Sequence, residues 1–166
     1  MHDAHSLAAS SESTPLCPPR VAGCGFYVTI RSGALVLHMS ASHEHMRQMR
    51  AYVFEAVTST GADEQVADVA RLVANELVGN AVRVGGPWTP VIVQIVSTSD
   101  QIRVRVHDPA PCAPSERRGR VPDDDRHGFG LGLRILDTLA PGWTVQATLV
   151  GKLATATLAC GESTTA

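Results

Sequence analysis

Apolar and polar positions change their rhythm several times along the chain, and each change marks an element. FYVTIRSGALVLHM (26–39) is two β-branched runs around Arg31-Ser32-Gly33, which predicts a strand or a hairpin. Ser42 can cap a helix running through HEHMRQMRAYVFEAV and ending by Gly61. Asp63 then caps a second helix, EQVADVARLVANELVGNAVRV, which Gly85-Gly86-Pro87 terminates. PVIVQIVS (90–97) and QIRVRVHD (101–108) alternate with period two and read as strands joined by Thr98-Ser99-Asp100. GFGLGLRILDTLA (128–140) opens with glycines and continues as an apolar helix, and WTVQATLV with KLATATLAC reads as a closing hairpin. The order β, α, α, β, β, loop, α, β, β predicts an α+β two-layer sandwich, with helices on one face of a mixed, mostly antiparallel sheet.

Two regions lack such rhythm. Residues 1–25 are rich in Ser, Ala, Pro and His and are expected to form a disordered tail; a single domain then spans 26–160, with a short C-terminal tail over 161–166. Residues 109–127, PAPCAPSERRGRVPDDDRH, carry too many prolines and charges for a packed element and read as a long loop. Within it, Asp123-Asp124-Asp125 lies beside Arg117, Arg118 and Arg120, an arrangement expected of a solvated loop.

On a helical wheel of about 100° per residue, Val66, Ala70, Val73, Leu77, Ala81 and Val84 form one stripe of the second helix, widened by Val69 and Leu72. Glu76 and Asn80 fall inside that apolar arc. A carboxylate buried there is costly unless something cationic or hydrogen-bonding meets it. Two readings follow: a polar pair facing a wet edge of the sandwich, or a pair pointing into a cleft. In the cleft, Asn80 offers an oxygen to a hard cation and Glu76 orients or deprotonates a nucleophile.

Composition narrows the choices. With 166 residues, 44% hydrophobic and 18% charged, the chain suits one globular domain with its own core. Fourteen Lys+Arg against sixteen Asp+Glu leave a net charge of −2, which supplies no electrostatic reason for nucleic acid or an anionic membrane surface. Cys17, Cys24, Cys112 and Cys160 form no C-x-x-C pair, and His43 and His45, two apart on a helix, point to different faces, so no His/Cys metal site is expected. With no signal-like start and no run long enough to span a bilayer, a cytoplasmic location is expected. First-helix residues Met46, Met49 and Phe54 serve the core or a homodimer contact.

Gly128, Gly130 and Gly132 are spaced for neither a dinucleotide fingerprint nor a P-loop. They share the physics of both: glycines at a helix entrance expose backbone N–H groups at the positive end of the macrodipole, which suits phosphate. The alternative is close helix–sheet packing. Asp108 ends a strand where Pro109 forbids continuation, either as a turn former or as a carboxylate able to accept from an exocyclic amine.

In this order, E-x-x-x-N on a helix, D at a strand end, a loop, then G-x-G-x-G resembles the GHKL-type ATPases (Bergerat fold), the histidine kinase-like ATP-binding domains shared with gyrase. More narrowly, ELVGNAV, HGFGLGLRILDTLA and WTVQATLVGKLATATL resemble the small bacterial anti-sigma-factor serine/threonine kinases and their stand-alone regulatory relatives, from about Ser42 to Leu158. The resemblance implies ATP and Mg²⁺ as cofactors, Glu76 as catalytic base and Asn80 as Mg²⁺ ligand. It implies that Asp108 holds the adenine amino group, that Gly128, Phe129, Gly130, Leu131 and Gly132 wrap the phosphates, and that residues 112–127 form a lid. Arg83 would help neutralise phosphate. The implied partners are an anti-anti-sigma-type protein and a sigma factor, and the implied activity is phosphorylation of a Ser or Thr on the former; a nucleotide-gated binding module without turnover is the alternative. Two positions depart from the family pattern. Asp108-Pro109-Ala110-Pro111 replaces D-x-G-x-G, and Gly151-Lys152-Leu153-Ala154 lacks a hydroxyl of the adenine site, for which Thr155 is the substitute.

Overall fold

The two β-branched runs around Gly33 fold back on each other, the glycine at φ +76° making the turn, so that β2 (Phe26–Arg31) pairs with β3 (Ala34–Ser40). The molecule is seen here as a computed structural model, which describes residues 20–31, 33–111 and 130–160. The sheet begins earlier than the sequence predicts. Residues 20–23, expected in the disordered tail, form β1 (Arg20–Gly23) and pair with β2 through an irregular register between Val21 and Gly23. Such a short strand carries too little alternation to be read from sequence. Residues 1–19 and 161–166 lie outside the described residues.

Ser42 caps α1 (His43–Thr58), its side-chain oxygen accepting from the His45 N–H at 3.1 Å, and Asp63 caps α2 (Glu64–Gly85), accepting from the Gln65 N–H at 2.7 Å. Both helices lie between β3 and β4 (Pro90–Ser97) in the chain. After β5 (Gln101–Asp108) come α3 (Gly130–Leu139), β6 (Thr144–Thr148) and β7 (Gly151–Ala159). The strands form one seven-stranded sheet in the order β1-β2-β3-β4-β5-β7-β6. Every described pairing is antiparallel, which corrects the expectation of a mixed sheet. The α+β class stands.

Strand alternation divides the sheet into two faces. Val28, Leu37, Val93, Val106, Ala154 and Val145 follow one another across six strands and are all buried. Against this face pack Met49, Val53 and Val57 of α1, the buried stripe of α2, and Leu136 of α3. Met49 is thus core, with Met46 and Phe54 packed partly buried against it. The next row, Thr29, Val36, Gln94, Arg105, Thr155 and Thr144, belongs to the opposite, helix-free face. Arg50 of α1 donates to Asn75 Oδ1 of α2 at 3.1 Å, tying the two long helices together. Among the described residues no helix is long and apolar enough to cross a membrane.

Candidate functional site

The buried stripe of α2 is Ala67, Ala70, Val73, Ala74, Leu77, Val78 and Ala81. It is rotated from the wheel expectation: Leu72 and Val84 are 39% and 52% exposed, outside the core. Alanine reads as neither polar nor strongly apolar, so a helix that approaches its neighbours through alanines hides its packing face. The rotation moves Glu76 and Asn80 from inside the apolar arc to its margin, half-buried, where a carboxylate and an amide keep access to solvent.

α2 and α3 meet at this margin. A methyl group on Gly132 would overlap Glu76 Oε2, and it would lie 3.8 Å from Arg83 Nη2. The Glu76 carboxylate therefore rests directly on the backbone of the first turn of α3, an approach only glycine permits. Arg83, one turn beyond Asn80 and two beyond Glu76, donates through Nη1 to Asn80 Oδ1. Glu76, Asn80, Arg83 and Gly132 thus form one group at the α2–α3 junction. The positive end of the α3 dipole faces it, with no acidic residue in that helix's first turn. Gly130 and Leu131 are the first residues of α3; Gly128, Phe129 and residues 112–127, expected to form a lid, lie outside the described residues.

Asp108 sits at the end of β5 on the helix-facing side, 2% exposed. Its Oδ1 accepts from the Ala110 N–H at 2.9 Å, the local turn that Pro109 leads one to expect. Across the ladder its partner is Lys152, 6% exposed and on the same face. Opposite charges at cross-strand positions contribute about 0.2–1 kcal/mol. Sequence reasoning missed Lys152, although its signal is present: the alternation of KLATATL puts Lys152 in phase with the buried Ala154, Ala156 and Leu158. The same alternation overturns the role expected of Thr155. It pairs with Arg105 and Thr144 on the helix-free face, so its hydroxyl is on the wrong side of the sheet to support a pocket at Asp108.

Two further features border the site. A Cβ on Gly151, at φ +142°, would strike the Asp108 carbonyl oxygen and come within 2.7 Å of the Pro109 Cα, so the β6–β7 turn lies hard against the chain leaving β5. The α2–β4 connection contains Trp88 at φ +69°, the one non-glycine residue with positive φ among those described. Thr89 anchors this turn, its hydroxyl donating to the Gly86 carbonyl at 2.6 Å and its own carbonyl accepting from the Ala41 N–H at 2.8 Å. Between this turn and residues 109–111 lies a depression of about 370 Å³, lined by Val84, Trp88, Thr89, Pro109 and Ala110 among others. A second hollow, of about 480 Å³, is lined by Tyr27, His38, Ile92 and His107, and none of the anticipated site residues is among the lining of either hollow.

An all-antiparallel sheet covered on one face by helices, with Glu76 held against a glycine-led helix and Asn80 bonded to Arg83 beside it, defines the class of protein. The family model for the histidine kinase-like ATPase domain matches residues 39–155, most of the chain, and the protein belongs to that family. A comparison with curated proteins finds no match. Domains of this kind bind ATP, usually with Mg²⁺.

Proposed function

We propose that the protein is an ATP-binding regulator that transfers the γ-phosphoryl group to a Ser or Thr hydroxyl of an anti-anti-sigma-type partner, and that it also holds a sigma factor. The observation that carries this reading is the Glu76 carboxylate seated on Gly132 at the entrance of α3. A phosphate received by the first-turn N–H groups of α3 would lie beside a carboxylate able to take a proton. Phosphoryl transfer asks mainly for positioning and charge neutralisation. Glu76 accepts the proton of the partner hydroxyl as its oxygen bonds to the γ-phosphorus, and the bond to the β-phosphate oxygen breaks to release ADP. Arg83 offers a guanidinium to the phosphates, and Asp108 accepts from the adenine amine.

The Asn80 side chain fits the Mg²⁺ role. Its oxygen is a hard donor at the margin of the site and already accepts from a cationic group, Arg83. A Mg²⁺ held by Asn80 together with ATP would supply charge neutralisation to the phosphates.

Incubation with Mg-ATP and an anti-anti-sigma-type protein should yield phosphoserine or phosphothreonine. Glu76→Ala should lower that yield at least about 100-fold while ATP still binds. Labelling undiminished in Glu76→Ala removes Glu76 from the mechanism.

The displaced Thr155 and the buried Lys152 beside Asp108 favour a second reading, in which ATP occupancy toggles a protein interface without turnover. Nucleotide binding without phosphate transfer, together with partner affinity that differs between ATP and ADP, would select it.

A further inference from the structure

Trp88 is the largest side chain in the turn that joins α2 to β4, yet it occupies a backbone conformation that glycine or asparagine adopts at least cost. It is also 66% exposed, so burial does not explain it. The conformation is held in place by the Trp88 N–H donating to the Ala41 carbonyl at 3.4 Å and by the Thr89 bonds. Strained backbone of this kind persists only where its surroundings over-determine it, and it clusters at active sites and ligand clamps.

Its surroundings indicate which ligand. The depression beside it is walled by Val84 and Gly85, one turn beyond Asn80 on α2, and by Pro109, Ala110 and Pro111, which directly follow Asp108. These walls are the direct chain extensions of both halves of the proposed nucleotide site, α2 beyond Asn80 and the chain leaving β5 after Asp108. Apart from the Thr89 hydroxyl their side chains are apolar, and Trp88 offers a flat aromatic face at the rim, while the backbone adds polar surface. A volume of about 370 Å³ lies within the range of small-ligand clefts, about 300–1,000 Å³.

We infer that Trp88 is the surface on which the nucleotide's purine ring stacks, making it a binding residue of the site. The inference rests on the nucleotide reading above and adds a residue and a selectivity to it. Stacking engages the π-face and tolerates any purine edge. Removing it should therefore weaken ATP and GTP alike and leave a base-free polyphosphate untouched.

The test compares wild type with Trp88→Gly and Trp88→Phe, titrated calorimetrically with Mg-ATP, Mg-GTP and Mg-tripolyphosphate. Trp88→Gly suits the positive φ and should keep the melting temperature. Its dissociation constants for ATP and GTP should rise about 5- to 100-fold. Trp88→Phe should keep most of the affinity, and tripolyphosphate should bind all three proteins equally. In the wild type, iodide quenching reports Trp88, because Trp143 is buried with its indole N–H donating to Asp137 at 2.8 Å. ATP should shield Trp88 from iodide and tripolyphosphate should not. ATP binding that is equal in wild type and Trp88→Gly, or that leaves the quenching unchanged, overturns the stacking role and leaves the nucleotide reading standing. A wild-type protein that binds neither ATP nor tripolyphosphate overturns both.

Discussion

The Glu76 carboxylate lies against Gly132, so a single absent methyl group fixes how closely α2 and α3 approach at the site. What a new Cβ at position 132 would meet is the far end of a flexible side chain, with no backbone in the way. Gly132→Ala should consequently fold with a melting temperature close to wild type. It should behave as Glu76→Ala does in phosphate transfer, because the carboxylate has been pushed aside. Differential scanning calorimetry and a partner-phosphorylation assay on the same sample separate the two effects. A variant that unfolds while its activity per folded molecule is unchanged would show that Gly132 serves packing alone.

Gly151 offers the opposite case. Its added Cβ would meet the Asp108 carbonyl and the Pro109 Cα, which cannot rotate out of the way, and the φ of +142° excludes ordinary residues. Gly151→Ala should cost roughly 3 kcal/mol, combining overpacking with backbone strain. Urea unfolding measures it. A cost below about 1 kcal/mol would mean that the β6–β7 turn shifts freely away from the end of β5.

α3 depends on Leu136, fully buried, and is closed at its C-terminal end by the Asp137–Trp143 hydrogen bond. Leu136→Ala should destabilise the protein by about 2–5 kcal/mol. Nucleotide affinity in the surviving folded fraction should also fall, since the phosphate-facing helix loses its anchor. Equilibrium unfolding followed by an ATP titration well below the new midpoint reads both quantities.

The thiols should also differ. Burial pushes the Cys160 thiol up, and the charge of Asp100 adds to the shift, whereas Cys24 is exposed. Iodoacetamide at neutral pH should label Cys24 well before Cys160, as read by peptide mass spectrometry. The sign of the linkage follows: the folded protein holds the Cys160 proton more tightly than the unfolded chain does. Stability should fall as pH rises from the ordinary thiol range through the raised value, and Cys160→Ala should flatten that decline.

Much of this architecture was legible beforehand where side-chain periodicity and end signals agree. Ser42, Asp63 and Gly86 bound α1 and α2 at the expected places, and β4 and β5 begin and end where their alternation does. Glu76 and Asn80 were visible as polar positions inside an apolar arc, but their true place at its margin was not, because four alanines carry the packing face of α2. Thr155 failed for a different reason. Motif matching compares residue types along the chain, while a strand presents consecutive residues to opposite faces, and one step of phase puts a hydroxyl on the far side. Lys152 was missed although the strand alternation carries its signal, whereas a left-handed tryptophan at position 88 is a property of the folded chain alone.

The order of strands has a consequence for tolerance. From β1 to β5, spatial order follows chain order, and the final hairpin returns to β5 through β7. Closing that return is a matter of chain entropy, and doubling the length of such a connection costs only about 0.6 kcal/mol. The connection from β5 to α3 can therefore change in length with little penalty to the scaffold.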